Sequence, residues 1–258
     1  PVPFELSFSE LVSGFTTEDI SITHGTVTDF SAGSNYSLSF DGVDDYVDLG
    51  DIFNDLSLPV SFQVQTKFNG NGGTIFVTDS DLDASLDNYY GYYLEVGLNI
   101  ISIMYGDGAG TGGGHRRTGR TYVSLNADTW YSISCVFHGP QDMSIYLNGV
   151  NQEMNYNDAG FGGTVGSNDH PFTLGGTNVG NNQTGYYDGF IDELRFWDIA
   201  LTDEEILSNY NTPPTGAEEG LIGYWNFNEG SGTTLTDQTS NGNNGTIYGA
   251  TWSADAPE

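Results

Sequence analysis

The chain has 258 residues, with 35 Asp and Glu against 5 Lys and Arg and a formal net charge of −30. A field of that sign repels nucleic-acid phosphates and anionic membrane surfaces, so no nucleic acid and no membrane insertion are expected. The 36 Gly, 16 Tyr and 15 Phe describe short strands joined by tight turns, which points to an all-β sandwich with one main domain.

The chain opens at Pro1 without a basic, apolar leader, as an excised mature segment would, and no run of apolar residues is long enough to span a membrane. Residues 1–35 alternate only weakly, and their SGFTTEDI-type run resembles the opening strands of bacterial Ig-like repeats. A complete Ig sandwich takes about 100 residues, so this stretch is either a remnant of a neighbouring module or extra strands annexed to the main sheet. From Tyr36 the pattern sharpens: Tyr36, Leu38 and Phe40 alternate with Ser37 and Ser39 ahead of an Asp41–Gly42 turn. Strands follow at Val60–Phe68, Gly73–Thr78, Tyr90–Val96, Asn99–Tyr105, Thr121–Leu125, Trp130–Phe137, Met143–Leu147, Phe172–Gly175 and Phe190–Trp197.

Cys135 is the only cysteine, so no intrachain disulfide forms, and it shares the inward parity of Tyr131, Ile133 and Phe137. Asn148–Gly149 is a two-residue hairpin signal, because both residues tolerate positive φ. Thr202 with Glu205 forms a capping box, which predicts one short helix ending near Tyr210. The linker 211–219, with Pro213, Pro214 and Gly216, cannot extend it and leads to a strand over 221–228. Beyond Glu229 a Gly-, Asn- and Thr-rich tail anchored by Ile247, Tyr248 and Trp252 predicts a loop and an edge strand.

Three segments, YSLSFDGVDDYVDLG (36–50), MSIYLNGV (143–150) and GFIDELRFWDIALTDEEI (189–206), together resemble the LamG-like jelly-roll family of the concanavalin A-like lectin/glucanase superfamily. The resemblance covers about 36–252 and implies an antiparallel two-sheet jelly roll. A stretch like GLIGYWNFNEGSGTTLTDQTSNGNNGTIYGATW often precedes the FDG segment in that family; here it follows as 220–252, a permuted order in which residues 220–228 supply a carboxyl-terminal closing strand to a domain spanning 36–258.

Asp41, Asp44 and Asp45 crowd one turn, and clustered carboxylates suit a hard cation that takes six to eight oxygens. The resemblance implies a structural calcium held where the FDG turn meets the IDE strand, which maps to Asp41, Gly42 and Asp192, with Asp44 adjoining. Read without a metal, Asp41–Gly42 only makes a turn. A second acidic run, Asp79, Asp81, Asp83 and Asp87, lacks the central Gly and terminal Glu of an EF-hand loop and reads as surface.

His115, Arg116, Arg117 and Arg120 concentrate positive charge in an acidic protein. Guanidinium groups bind carboxylate and sulfate in bidentate fashion, so the patch is a landing point for an anionic group; on the alternative reading the arginines simply pair with nearby Asp107, Asp128 or the 79–87 carboxylates. The Gly-rich stretch 106–114 before them does not open a helix and is no phosphate loop. Tyr89, Tyr90, Tyr92 and Tyr93, with Tyr186 and Tyr187, are candidate platforms for sugar rings, although alternation sends half of any strand's aromatics inward. Trp130, Trp197, Trp225 and Trp252 sit in apolar strand patterns and are expected in the core.

The carboxylate pair of a jelly-roll glycosidase is missing, since Asp192 and Glu193 are adjacent and should face opposite ways. His115, Arg116 and Tyr105 could mimic a polysaccharide-lyase set, but the rest of that pattern is lacking. His24, His138 and His170 show no zinc spacing. The sequence therefore points to a non-catalytic, calcium-stabilised carbohydrate-binding module for anionic algal polysaccharide. It would be secreted or at a bacterial, marine cell surface and part of a larger multidomain protein, with a surface adhesion or array domain and then a weak lyase as alternatives.

Overall fold

A computed structural model of the protein describes residues 35–52, 57–70, 72–78, 90–110, 113–139, 142–157, 165–166, 171–176 and 185–257. The chain divides into two units, residues 1–34 and 35–258. The strands expected before Tyr36, the acidic run 79–87, Tyr89, His24 and His170 lie outside the described residues.

In chain order the second unit comprises β1 (Ser37–Asp41), β2 (Tyr46–Asp48), β3 (Val60–Phe68), β4 (Gly73–Val77), β5 (Tyr92–Gly97), β6 (Ile100–Gly106), β7 (Arg116–Thr121), β8 (Tyr131–Gly139), β9 (Asp142–Leu147), β10 (Val150–Asn151) and β11 (Asn155–Asn157). Then come β12 (Thr173–Leu174), β13 (Asp188–Trp197), the helix α1 (Asp203–Asn211), β14 (Leu221–Trp225), β15 (Thr234–Leu235), β16 (Gly245–Tyr248) and β17 (Thr251–Ser253). Every described pairing is antiparallel. The first sheet runs β10-β9-β8-β3-β13-β1-β17, with β14 also on β13, and the second runs β11-β7-β6-β5-β4-β12-β2-β16-β15. This is the expected two-sheet jelly roll.

Period-two alternation aims one face of each sheet at the other. Val60, Phe62 and Val64 of β3 meet Leu94, Ile101, Ile103 and Tyr105 of the second sheet in one fully buried cluster that also holds Cys135. Phe62 lies at its centre, its ring centroid 4.5 Å from both Phe76 and Phe196. Each such ring contributes about 1.5–3 kcal/mol by leaving water.

Trp197 and Trp225 are buried as expected, and Trp252 is partly so; Trp130 is not a core residue. It precedes Tyr131, whose parity faces inward, so Trp130 falls on the outer face of the first sheet with Ser132 and Ser134. The strand expected at Thr121–Leu125 lies earlier, as β7, because the partners β6 and β11 recruit Arg116–Thr121.

β13 carries the main irregularity. Between Asp192 and Arg195 its register with β3 shifts, with Glu193 at φ 52, so one extra residue bulges from the strand. Before the bulge this edge pairs with β1 and after it with β14. The strand expected near 221–228 therefore exists as β14, but the partner that completes β1 is β17, while β16 completes β2. The helix begins at Thr202, whose side chain accepts from Glu205 N–H while Glu205 reaches back to the Thr202 N–H. Its buried Ile206 seats it with Val136, Tyr146, Trp197 and Tyr224, a second cluster outside the first sheet.

Candidate functional site

The end of β1 turns at Asp41 and Gly42. Gly42 has φ +76, and a Cβ there would lie 2.9 Å from the Asp188 Cβ, so the turn requires glycine. Asp41 Oδ1 accepts the Val43 N–H at 2.8 Å and Asp45 Oδ2 accepts the Asp41 N–H at 2.9 Å, which folds the turn on itself. Carboxylate oxygens of Asp41, Asp44 and Asp45 then lie within 4.8 Å of one another, the first two side chains exposed and the third buried. Burial raises the Asp45 carboxyl above its ordinary value, the Asp41 N–H opposes that, and the charges of Asp41 and Asp44 raise it further. Three hard oxygen donors of like charge, two of them open to solvent, can hold a divalent cation and leave room for water to complete its shell.

Asp192 is not part of this group. The antiparallel register sets Asp41 opposite Asp188 and Leu38 opposite Ile191, so Asp192 lies about 13 Å further along β13. The β13 residue beside the turn is Asp188, whose carboxylate accepts the Asn69 Nδ2–H at 3.2 Å. Only the strand pairing reveals it. Asp192 itself is fully buried. Its Oδ1 accepts the Glu193 N–H at 2.7 Å, and its Oδ2 has no hydrogen-bond partner. Burial drives its pKa well above the ordinary carboxylate range; Glu193's charge adds to this, while the Glu193 N–H and Arg195 oppose it.

The bulge also overturns the expectation that Asp192 and Glu193 face opposite ways. Asp192 pairs with Gln65 and Arg195 with Gln63, both on the outer face, and the Glu193 carboxylate binds Arg195 and the Tyr224 hydroxyl on that same face. Asp192 is buried there, and the half-buried Glu193 carboxylate is engaged by Arg195 and Tyr224.

The basic cluster is divided by the same alternation. Tyr105, Ile103 and Ile101 of β6 face the core opposite Arg117, Gly119 and Thr121, so Arg117 shares the inward parity while Arg116 and Arg120 point outward. The Arg117 guanidinium lies 4.2 Å from the centroid of the Tyr156 ring. His115 Nδ1 sits 3.0 Å from Asp107 Oδ2. On the outer face of the second sheet, register builds one row, Glu95–Ser102–Arg120–Asn155, with Arg120 Nε donating to Ser102 Oγ at 3.4 Å. Beside it runs Tyr93–Met104–Thr118–Asn157, with Arg116 next along β7.

The tyrosines sort the same way. Tyr92, 1% exposed, packs against Phe62 and Phe137 and is a core residue, not a platform. Tyr187 is also buried. Tyr93 faces outward and bonds Thr74 through its hydroxyl; burial first, then Glu95, push it up to about 12. Tyr90 lies against Gly108, where φ is +67 and a Cβ would come 2.0 Å from the ring, which places it on the turn that holds Asp107, the partner of His115. Tyr186 neighbours the acidic turn, where burial and Asp44 raise its pKa.

The fold recurs in solved structures. A protein from Bacteroides ovatus ATCC 8483, provisionally described as carbohydrate binding, superposes with a TM-score of 0.62 at 17% identity, over 90% of this chain and 67% of that one. The CBM40 of the Ruminococcus gnavus IT-sialidase, bound to alpha2,3 sialyllactose, does so with a TM-score of 0.50 at 13% identity, over 67% of this chain and 95% of that one. At such identities the likeness concerns the fold. Among curated proteins none matches the sequence. The Laminin_G_3 family model matches residues 41–207, more than half of the chain, including the acidic turn, the arginine strand and β13, and the chain therefore belongs to that family of the concanavalin A-like lectin/glucanases superfamily.

Proposed function

We propose that residues 35–258 form a non-catalytic, extracellular carbohydrate-binding module that takes anionic polysaccharide, uronic or sulfated, on the outer face of β5, β6 and β7. One observation carries this reading: in a chain of net charge −30, Arg116 and Arg120 share an outward face with Tyr93, Ser102, Asn155 and Asn157. Guanidinium groups recognise carboxylate or sulfate in a fixed fork, amides and hydroxyls recognise sugar hydroxyls, and a tyrosine offers a flat apolar surface to the C–H face of a ring. The carbohydrate-binding descriptions of two proteins of like fold agree with it.

Calcium would sit at Asp41, Asp44 and Asp45 with the Gly42 turn, holding the β1–β2 connection against its own like charges. A secreted or cell-surface module within a larger bacterial protein fits the acidic surface, which stays soluble in saline surroundings through screening.

The test is retention on gels containing alginate, carrageenan or a neutral glucan, at rising salt and with or without chelator. Retention by the anionic gels should weaken with salt and drop about tenfold in affinity for Arg120→Ser and Arg116→Ser. A uronic-acid product assay should stay flat. Equal retention by neutral and anionic gels, or variants that bind unchanged, would remove the reading.

A further inference from the structure

The first sheet presents a different polar surface, far in character from the arginine face. Its register sets Asp192 of β13 opposite Gln65 of β3 and Gln65 opposite Ser132 of β8. Ser132 in turn is tied to the β9–β10 hairpin: its N–H donates to Asn148 Oδ1 at 2.9 Å, and the Asn148 N–H donates to the Ser132 carbonyl at 2.8 Å. One cross-strand row, Gln65–Ser132–Asn148, thus forms the floor of a cavity of about 290 Å³. Trp130, two residues before Ser132 on the same face, lines it, and so do Tyr210 and Asn211 from the last turn of α1.

The aromatic side is fixed in advance. The Trp130 Nε1–H donates to Asp255 Oδ1 at 3.2 Å, Lys67 pairs with the same carboxylate, and the Lys67 ammonium lies 5.8 Å from the indole centroid. An indole held by its own nitrogen keeps its ring plane without a ligand, so little side-chain freedom remains to be lost on binding. Asn211 is likewise held, its Nδ2–H donating to the Leu207 carbonyl at 2.7 Å.

The chemistry of the lining selects the ligand. Gln65, Asn148 and Asn211 offer primary amides, each with donors and an acceptor, and Ser132 and Tyr210 offer hydroxyls. That set matches the vicinal hydroxyls of a sugar, while Trp130 and Tyr210 supply apolar ring faces for its C–H surface. Among the described residues, no Lys, Arg, His, Asp or Glu lines the cavity. The protein's net charge is −30, so an anion is disfavoured there. The volume stands at the lower end of small-molecule clefts, which start at about 300 Å³, and suits a sugar unit or two instead of a polymer cross-section. We propose that this cavity is a second glycan site, independent of the arginine face, that takes the end of a neutral oligosaccharide.

The experiment titrates the folded chain with neutral trisaccharides of glucose, galactose, mannose, xylose and arabinose, read by indole fluorescence and calorimetry, in high salt with chelator present. Under those conditions anion binding is screened and a cation at the acidic turn is removed. At least one trisaccharide should bind, and Gln65→Ala and Tyr210→Ala should each weaken it about tenfold, with thermal midpoints near the parent's showing that both variants fold. If no trisaccharide changes either signal up to about 10 mM, or if the two variants bind as the parent does, the proposal fails. The arginine-face reading stands or falls separately, on salt dependence and charged gels.

Discussion

Asp192 has one carboxyl oxygen bonded and the other without a partner, in a fully buried position. Its folded pKa lies above the unfolded value, so the native state holds the proton more tightly. Its contribution is therefore complete below the ordinary carboxylate pKa and is lost as pH rises through the raised one. Asp192→Asn keeps the acceptor for Glu193 N–H and removes the charge; we expect it to add about 1 kcal/mol at neutral pH and to flatten the fall in stability with pH, measured by denaturant titration at acid and neutral pH. The arginines separate similarly. Arg117→Ala removes the cation over Tyr156 and should cost about 1 kcal/mol of stability, whereas Arg120→Ala should act chiefly on polysaccharide affinity; melting curves and gel retention on both variants distinguish them. At this scale alternation was legible for Cys135, and the same parity rule places Trp130 outward once its neighbour Tyr131 is placed inward. The partner of Asp41 was not legible: family resemblance points to Asp192, and only the β1–β13 register brings Asp188 there instead.

Among the elements, the helix and the hairpin were written most plainly. Thr202 and Glu205 make both halves of the capping box, and Asn148 and Gly149 both adopt positive φ, 50° and 75°, as a two-residue turn demands. Thr202→Ala should lower stability by about 1 kcal/mol, visible as a lower thermal midpoint without change in the sheet signal of circular dichroism. β7 was invisible because RRTGRT has no apolar period; it is a strand because β6 and β11 flank it. The β13 bulge was not read from the sequence, although the Asp192–Glu193 doublet interrupts the alternation of Ile191 with Leu194 at the place where the register shifts. Yet the bulge sets where β14 joins and turns both Asp192 and Glu193 to the outer face.

For the whole molecule, composition alone pointed to the all-β class, and the three family segments fall on β1–β2, β9–β10 and β13–α1, which contribute to both sheets and the helix. If calcium holds the acidic turn, stability should rise by about 2.7 kcal/mol at a hundredfold excess over its dissociation constant. Thermal scans with calcium, magnesium and chelator, on the parent and on Asp44→Asn, measure it; the variant should lose most of the gain. Less legible was how the sandwich closes: the tail supplies not one edge strand but β16 to the second sheet and β17 to the first. Ser37 pairs with Ser253, and Val47 with Ile247. These partners are roughly 200 residues apart, which at ribosomal rates of about 5–20 residues per second is an interval of about 10–40 s. Until β12 and β13 are made, β1 and β2 lack both partners, and until the tail is made each still has one flank bare; contacts of such long range also slow the final search. The strands made first in this unit are thus among the last to be finished, and the nascent chain stays open until its tail is synthesised.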